Sequence, residues 1–284
     1  MTEYDVIAVG LGPAAASAAN YTAMGGCKTL LIGEAAGALY RAGKIANYYA
    51  AGETSGKELF ERGLDQARAL GAEVVYGQVV EIAANGEDFT VKTASEEYRA
   101  KAVLLATGAA RSRPKVEGLD AFDGKGVSWC AVCDGFFYRK KKVGVYGAGE
   151  YAASEAKYLS GIGCEVTLFT DGRETAFGGV PVRTEKIAKL YGGETLEGVQ
   201  FAGGEKVPLS AMFVAEGVAS SADFAKMIGI ETAGNAVKVN EKCETNVPGL
   251  YAAGDCTGGL LQVAKAVSDG AIAGVQICRY LKNK

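Results

Sequence analysis

The residues able to do chemistry are few and clustered. Cys130-Ala131-Val132-Cys133 sets two thiols at a spacing that closes into a disulfide, and Asp134 follows at once with a carboxyl group that can exchange a proton with a thiol. His is absent from all 284 residues, which removes Ser-His and Cys-His pairs, imidazole bases and every His-containing metal site. A structural zinc site is the other use of a C-x-x-C, but it needs further ligands, and there is no second C-x-x-C. A dithiol with an adjacent acid points to redox chemistry. The remaining cysteines (Cys27, Cys164, Cys243, Cys256, Cys278) stand alone in the sequence and read as small buried hydrophobes. Cys256, directly after Gly254-Asp255, is the one whose reactivity most needs checking.

A second kind of chemistry lies in the glycine turns. Gly10-x-Gly12-x-x-Ala15 falls between an apolar strand, Tyr4–Val9, and an Ala-rich helix ending near Met24. That context suits a dinucleotide pyrophosphate: Gly10 for the tight turn, Gly12 for close approach, and Ala15 for helix–strand packing. The alternative is a glycine turn that holds no ligand. Glu34, past the next strand at Lys28–Ile32, stands where a carboxylate could accept from a ribose hydroxyl.

The elements that position these groups form a repeat. Strand Val143–Tyr146, turn Gly147-x-Gly149-x-x-Ala152, helix Ser154–Leu159 and strand Glu165–Phe169 restate the first βαβ plan. Between the copies, Ser55-Gly56-Lys57-Glu58 opens a helix to about Leu70, Gln78–Ala84 and Asp88–Ala94 flank Asn85-Gly86 as a hairpin, and Ala102–Ala106 is a buried strand. The tail returns to strand, turn and helix through Gly249–Asp255 and Gln262–Tyr280. The expected fold is α/β, with two Rossmann-like (three-layer ββα) dinucleotide-binding domains, the second inserted in the first. The expected boundaries are 1–115 with 238–284 for the discontinuous domain, and 116–237 for the insert that carries the C-x-x-C.

Composition narrows the class. Forty Gly against five Pro suits tight turns rather than disorder, and 49% apolar with 22% charged residues describes a globular chain with a substantial core. A net charge of −3 provides no broad positive field for nucleic acid. No apolar run reaches the length of a membrane span, and no basic segment precedes the first strand, so neither membrane insertion nor a secretory signal is expected. Seven cysteines, an odd number, favour a reducing cytoplasm over a disulfide framework. The run Arg139-Lys140-Lys141-Lys142 reads as a solvated turn or, so close to the dithiol, a docking patch.

Gly10-Leu11-Gly12-Pro13-Ala14-Ala15, Ala106-Thr107-Gly108-Ala109, Cys130 to Tyr138 (Cys-Ala-Val-Cys-Asp-Gly-Phe-Phe-Tyr) and Ala252-Ala253-Gly254-Asp255 occur in that order. Together they resemble the low-molecular-weight thioredoxin reductases over essentially the whole chain. The resemblance implies FAD in the discontinuous domain, the dithiol on the insert, a homodimer, and electron flow from flavin to dithiol to thioredoxin. It also implies a large domain rotation, because a dithiol against the flavin cannot at the same time reach thioredoxin. By the same resemblance, Cys133 is the flavin-proximal sulfur, Cys130 the outer thiol that attacks the partner disulfide, and Asp134 the acid/base. The FAD residues implied are Gly10, Gly12, Pro13, Ala14, Ala15, Glu34, Thr107, Gly108, Gly254 and Asp255, the last on the ribityl chain. Asn47 matches a flavin-side loop, and Gln262 with Val263 opens the helix that lies along the flavin ring.

The departures from the family separate possible electron donors. NADPH-using members place a basic cluster after the second strand of the insert, where this chain reads Thr170-Asp171-Gly172-Arg173-Glu174. Asp171 would repel a 2′-phosphate, and Tyr151, where the family has Ser or Thr, would crowd the pyrophosphate seat. Asn47-Tyr48-Tyr49 also departs from the Asn-Trp-Pro of NADPH-type members. These features resemble the ferredoxin-dependent flavin thioredoxin reductases, which lack a working pyridine-nucleotide site, and ferredoxin is the favoured donor. NADH stays open, with Asp171 as a ribose ligand and Gly147-x-Gly149-x-x-Ala152 intact. A flavin oxidoreductase of the same fold with another disulfide substrate is the further alternative.

Overall fold

The computed structural model describes residues 2–34, 37–108, 114–129, 131–216, 221–234 and 236–284, with Arg41, Val132 and Cys133 described by main chain alone. The chain divides into two compact units, Met1–Ala110 with Ser220–Lys284, and Arg111–Ala219.

The first unit begins β1 (Thr2–Val9), α1 (Pro13–Met24), β2 (Thr29–Gly33), α2 (Ala38–Arg41), α3 (Gly56–Ala69), β3 (Glu73–Tyr76), β4 (Val79–Asn85), β5 (Asp88–Thr93) and β6 (Glu97–Leu105). The second holds β7 (Val127–Ser128), α4 (Ala131–Asp134), β8 (Lys142–Tyr146), α5 (Glu150–Gly161), β9 (Glu165–Phe169), β10 (Val182–Arg183), β11 (Ile187–Gly192), β12 (Leu196–Phe201), β13 (Lys206–Pro208) and β14 (Ala211–Val214). The chain then returns to the first unit through α6 (Ser221–Ile228), β15 (Thr232–Ala233), β16 (Ala236–Val237), β17 (Leu250–Ala252) and α7 (Val263–Lys282).

In the first unit β3-β2-β1-β6 run parallel, and β17 joins them in parallel on the second half of β6. The first half of β6 instead pairs antiparallel with β5, which pairs with β4. One long strand thus serves both a parallel core and a meander. Ala14, Ala15, Ala18 and Ala19 of α1 pack with Ala266, Ala273 and Ile277 of α7 in the core beside β1 and β6. Small residues let these helices approach closely: a Cβ on Gly270 would lie 2.2 Å from the Ala14 carbonyl oxygen. The second unit repeats the plan as a parallel sheet β10-β9-β8-β14-β7, with an antiparallel sheet β11-β12-β13 packed through Leu190, Val199 and Phe201.

The observed fold is the expected pair of dinucleotide-binding folds with one inserted in the other. The return point differs: the chain rejoins the first unit at 220, not 238. The reason is α6, whose Phe224 and Ala225 are fully buried and which packs against β4, while Ser221 bonds back to Thr107. The three-stranded sheet β11-β12-β13 gave no readable signal, because its strands are short and punctuated by Gly192, Gly193, Gly198, Gly203 and Gly204.

Candidate active site

Parallel pairing of β2, β1, β6 and β17 brings the carboxyl ends of four strands to one edge of the first unit, the edge where open α/β sheets bind ligands. Gly10 follows β1 at φ +123°, and a Cβ there would sit 2.2 Å from the Ala106 carbonyl oxygen, so only glycine fits. Gly12 caps α1 with Pro13 as its first helical residue, and a Cβ on Gly12 would meet no atom within 4 Å. The start of α1 is open to a ligand. Gly108, at φ +80°, is open in the same way, and Glu34 is exposed one residue beyond β2. A cavity of about 180 Å³ adjoins Gly12 and Pro13 and runs on to Tyr48, Phe60 and Val263.

Two predicted residues separated by 215 positions meet here: Asn47 Nδ2 donates to Gln262 Oε1 at 3.0 Å, holding the 47 loop to the first turn of α7. Gly254 sits at φ +82°, with Ala14 Cβ 2.9 Å from where its own Cβ would stand. Asp255 is half-buried, and burial pushes its carboxyl above the usual range. Sequence reasoning missed what fixes this turn. Lys265 Nζ donates to the carbonyls of Gly254 (2.7 Å) and Gly258 (2.8 Å) and to Thr257 Oγ1 (2.7 Å), and pairs with Asp269 at 2.9 Å. Cys256 is fully buried, with its thiol 3.2 Å from the Ala253 carbonyl and pushed up to about 11 by burial, so it is an inert packing residue.

In the second unit α4 covers the dithiol segment. Cys130 lies outside the described residues, and Cys133 is placed only as a residue of α4. Asp134 accepts from Ser128 Oγ at 2.6 Å, which anchors the proposed acid/base to β7. A carboxylate that sequence reasoning overlooked lies beneath the segment: Glu155 on α5 is 4% exposed and accepts from the Ala131 N–H at 2.9 Å. A signal for it existed, because Tyr151, Glu155 and Leu159 fall four apart on one face of α5, and all are buried. Past Asp134, Phe136 and Phe137 are 65% and 71% exposed.

The second glycine turn keeps the backbone of the first but not its surroundings. Tyr151 is 1% exposed. The phenol expected to crowd the pyrophosphate seat is thus packed into the unit rather than left in solvent. Asp171 faces inward: its Oδ2 accepts from the Tyr146 hydroxyl at 3.0 Å and its Oδ1 from the Ile187 N–H at 2.8 Å. Arg173, the cation that follows β9, pairs with Glu216 and donates to the Thr170 carbonyl at 2.8 Å.

Residues 4–270 match the family described as pyridine nucleotide-disulphide oxidoreductase. The chain belongs to this family. Among curated relatives it is 33% identical to a thioredoxin reductase of Aquifex aeolicus, across 99% of this chain and 94% of that one. It is 30% identical to the thioredoxin reductase of Listeria monocytogenes, across 98% and 94%. Among solved structures it resembles an atypical thioredoxin reductase from Desulfovibrio vulgaris Hildenborough, with a TM-score of 0.93, 37% identity and 98% coverage of both chains. It also resembles a ferredoxin-flavin thioredoxin reductase from Clostridium acetobutylicum, with a TM-score of 0.79, 30% identity and full coverage of both. The protein is a flavoprotein disulfide oxidoreductase of the thioredoxin reductase type, with FAD as cofactor. The first unit fits that group, since Gly12 and Gly108 leave open space at the helix start and strand end where a pyrophosphate would lie. Among the described residues no helix is long and apolar enough to cross a membrane, and no group of three or more His, Cys, Asp or Glu could hold a metal ion.

Proposed function

We propose that this enzyme carries electrons from reduced ferredoxin, through FAD on the first unit and the Cys130/Cys133 dithiol on the second, to the disulfide of thioredoxin, as a cytoplasmic homodimer. The observation that carries the donor assignment is the end of β9. Its cation pairs with Glu216 and its carboxylate accepts from Tyr146 and Ile187, internal contacts that compete with any 2′-phosphate or ribose. The likeness to the Clostridium acetobutylicum ferredoxin-flavin enzyme supports the same reading.

Each residue then has a part. Gly10, Gly12, Pro13, Ala14 and Ala15 seat the pyrophosphate at the start of α1, and Glu34 accepts from the adenosine ribose. Thr107, Gly108, Gly254 and Asp255 line the neighbouring strand ends, and Asn47, Gln262 and Val263 hold the ring side. Bound FAD supplies a centre that takes electrons singly from an iron–sulfur donor and releases them as a pair to a disulfide. With FAD bound, Cys133 would be the sulfur that accepts electrons from it, Cys130 would attack the thioredoxin disulfide, and Asp134, fixed by Ser128, would move the accompanying proton. Phe136 and Phe137 give the substrate protein an apolar contact beside the dithiol. The exposed Arg139–Lys142 run offers positive charge to an acidic ferredoxin; Arg111 and Arg113, the other candidates, lie outside the described residues.

Anaerobic stopped-flow bleaching of the flavin with reduced ferredoxin, NADH and NADPH in parallel tests the donor. The expected result is rapid bleaching by ferredoxin alone, slowing as salt rises. Rapid bleaching by NADH with none by ferredoxin makes Asp171 a ribose ligand, a reading that the preserved Gly147 turn supports. Rapid bleaching by NADPH overturns both.

A further inference from the structure

Five cysteines lie outside the C-x-x-C, and the fold sorts them into two kinds. Cys164, Cys243 and Cys256 are buried, each with its sulfur against a backbone carbonyl: Gly135 at 3.7 Å, Asp269 at 3.5 Å and Ala253 at 3.2 Å. Cys27 and Cys278 differ in exposure and in facing each other, although the Cys278 thiol also donates to the Tyr21 carbonyl at 3.7 Å. They are 251 residues apart in sequence, both only half-buried, and their sulfurs stand 3.9 Å from each other.

Their meeting follows from the helix pair beneath them. Close contact of α1 and α7 fixes the register, with the Ser17 hydroxyl donating to the Val267 carbonyl at 2.8 Å. A Cβ on Gly274 would lie 2.6 Å from the Ala18 carbonyl oxygen. One turn further along, α7 delivers Cys278 to the corner where α1 ends. Gly25 makes the room: a Cβ there would stand 2.7 Å from the Cys278 sulfur. Cys27 comes from the same corner, between exposed Gly26 and Lys28, so a small reagent can reach the pair.

We propose that Cys27 and Cys278 form a second dithiol, separate from the C-x-x-C, that closes to a disulfide by exchange with a low-molecular-weight disulfide. The Cys278 sulfur, as thiolate, attacks one sulfur of the reagent, whose S–S bond breaks and releases one thiol. Cys27 then attacks the Cys278 sulfur of the mixed disulfide, its proton passing to the second thiol as that leaves. One S–S bond is made and one broken. The protein loses two electrons and two protons, and the reagent gains both. The sulfurs must approach by about 2 Å to reach bonding distance, a side-chain rotation at an exposed corner. Burial, and then the neighbouring Cys278, push the Cys27 thiol up to about 12 in the reduced pair, which disfavours Cys27 as the first attacker; the second step relies on its closeness to the Cys278 sulfur.

The closed pair has a structural consequence. The first unit consists of two chain segments interrupted by the whole second unit, and the bond would join them covalently. It would therefore restrict the escape of α7 from α1 when the protein unfolds.

The test uses the wild-type holoenzyme, reduced and then incubated anaerobically with glutathione disulfide. Free thiols are alkylated under denaturing conditions, and the digest is read by mass spectrometry. The expected product links the Cys27 and Cys278 peptides, with Cys164, Cys243 and Cys256 alkylated. The urea midpoint of the oxidised protein should exceed that of the reduced one, and the difference should vanish in Cys278→Ser. Alkylation of both Cys27 and Cys278, or glutathione retained on either without the cross-link, overturns the proposal. So does a cross-link from either cysteine to a different partner.

Discussion

The two glycine turns of this chain are the same object in backbone and different objects in chemistry. Gly10 N–H donates to the Ile32 carbonyl at 2.7 Å and Ala106 N–H to the Val9 carbonyl at 2.8 Å. In the second copy, Gly147 N–H donates to the Phe169 carbonyl at 3.0 Å and Ala215 N–H to the Tyr146 carbonyl at 2.8 Å. A Cβ on either first glycine would stand 2.2 Å from the next strand's carbonyl oxygen, at Ala106 or Ala215. The side chains around them diverge. The first turn opens onto empty space, with an exposed Glu34 at the next strand end. The second is followed by a buried Tyr151, and its strand end is tied inward through Asp171 and Arg173. On the proposed donor reading, a glycine fingerprint reports how a strand turns into a helix, and the groups at the strand ends decide whether a dinucleotide is held.

The sharpest way to break this comparison is to damage both turns equally. Gly10→Ala and Gly147→Ala meet the same backbone clash at positive φ, each expected to cost several kcal/mol or more in its own unit. Gly10→Ala should yield protein nearly free of flavin absorbance, whereas Gly147→Ala should keep FAD while lowering the unfolding midpoint. Loss of FAD in both variants would mean that the second turn also supports cofactor binding.

Gly12→Asp sharpens the contrast by separating stability from binding. Gly12 caps α1 with extended backbone and no clash, and Asp is a better cap than Gly by a few tenths of a kcal/mol. The apoprotein should be as stable or slightly more so, while the new carboxylate repels a pyrophosphate and FAD affinity falls by about 100-fold or more. Gly149→Asp, at the matching cap of α5, should leave turnover with the protein donor unchanged. A calorimetric titration of flavin into each apoprotein decides the matter, and equal affinity in Gly12→Asp and wild type would remove the first turn from the FAD site.

A third variant divides the units by function. Asp134→Asn should slow thioredoxin reduction by about 100-fold at full flavin content, because general acid–base catalysis is worth at least that much and no His stands in reserve. Water can substitute in part, which keeps the effect at the low end. Ser128→Ala, which removes the anchor of that carboxylate but leaves the carboxylate itself, should cost less. An unchanged pH–rate profile in Asp134→Asn would exclude the residue from proton transfer.

How much of this was legible in the sequence depends on the range of the interactions. The two βαβ units are local, so strand, glycine turn and helix could be read from consecutive residues, and α1 and α5 start within a few residues of where their turns place them. Asn47 and Gln262 were each assigned to the flavin side only through the family resemblance, and their contact was not readable, because nothing local links positions so far apart. The return at 220 was missed because α6 is only eight residues long: Ser221, Phe224 and Ala225 do fall on one buried face, but what assigns that face to the first unit is packing on β4 and the bond from Ser221 to Thr107. Cys27 and Cys278 each read as solitary cysteines, and only the register of α7 on α1 makes them a pair. Asp171 was read by its charge, yet its place depends on the Ile187 N–H that folds back over it.

That last residue gives the smallest expected effect and the finest test of the comparison. Asp171 adopts φ +53°, a left-handed conformation that Asn tolerates well, so Asp171→Asn changes charge and hydrogen bonding without adding backbone strain. The amide keeps one acceptor oxygen and turns an NH2 group toward the other partner. If that oxygen stays with the Ile187 N–H, the Tyr146 hydroxyl can rotate to accept instead of donate, and the loss is limited to the charge assistance of two bonds. Destabilisation of about 1–3 kcal/mol is expected, read as a lower urea midpoint. Asp171→Ala should cost more, since it leaves the Ile187 N–H without its carboxylate and keeps the β-carbon at positive φ without the side-chain bonds that offset it. Bleaching of the flavin by NADH should be equally slow in wild type and Asp171→Asn, because a carboxylate that holds its own fold is not holding a ribose. If Asp171→Asn were as stable as wild type and differed only in its response to NADH, the second turn would be a working nucleotide site and the contrast between the two turns would fail.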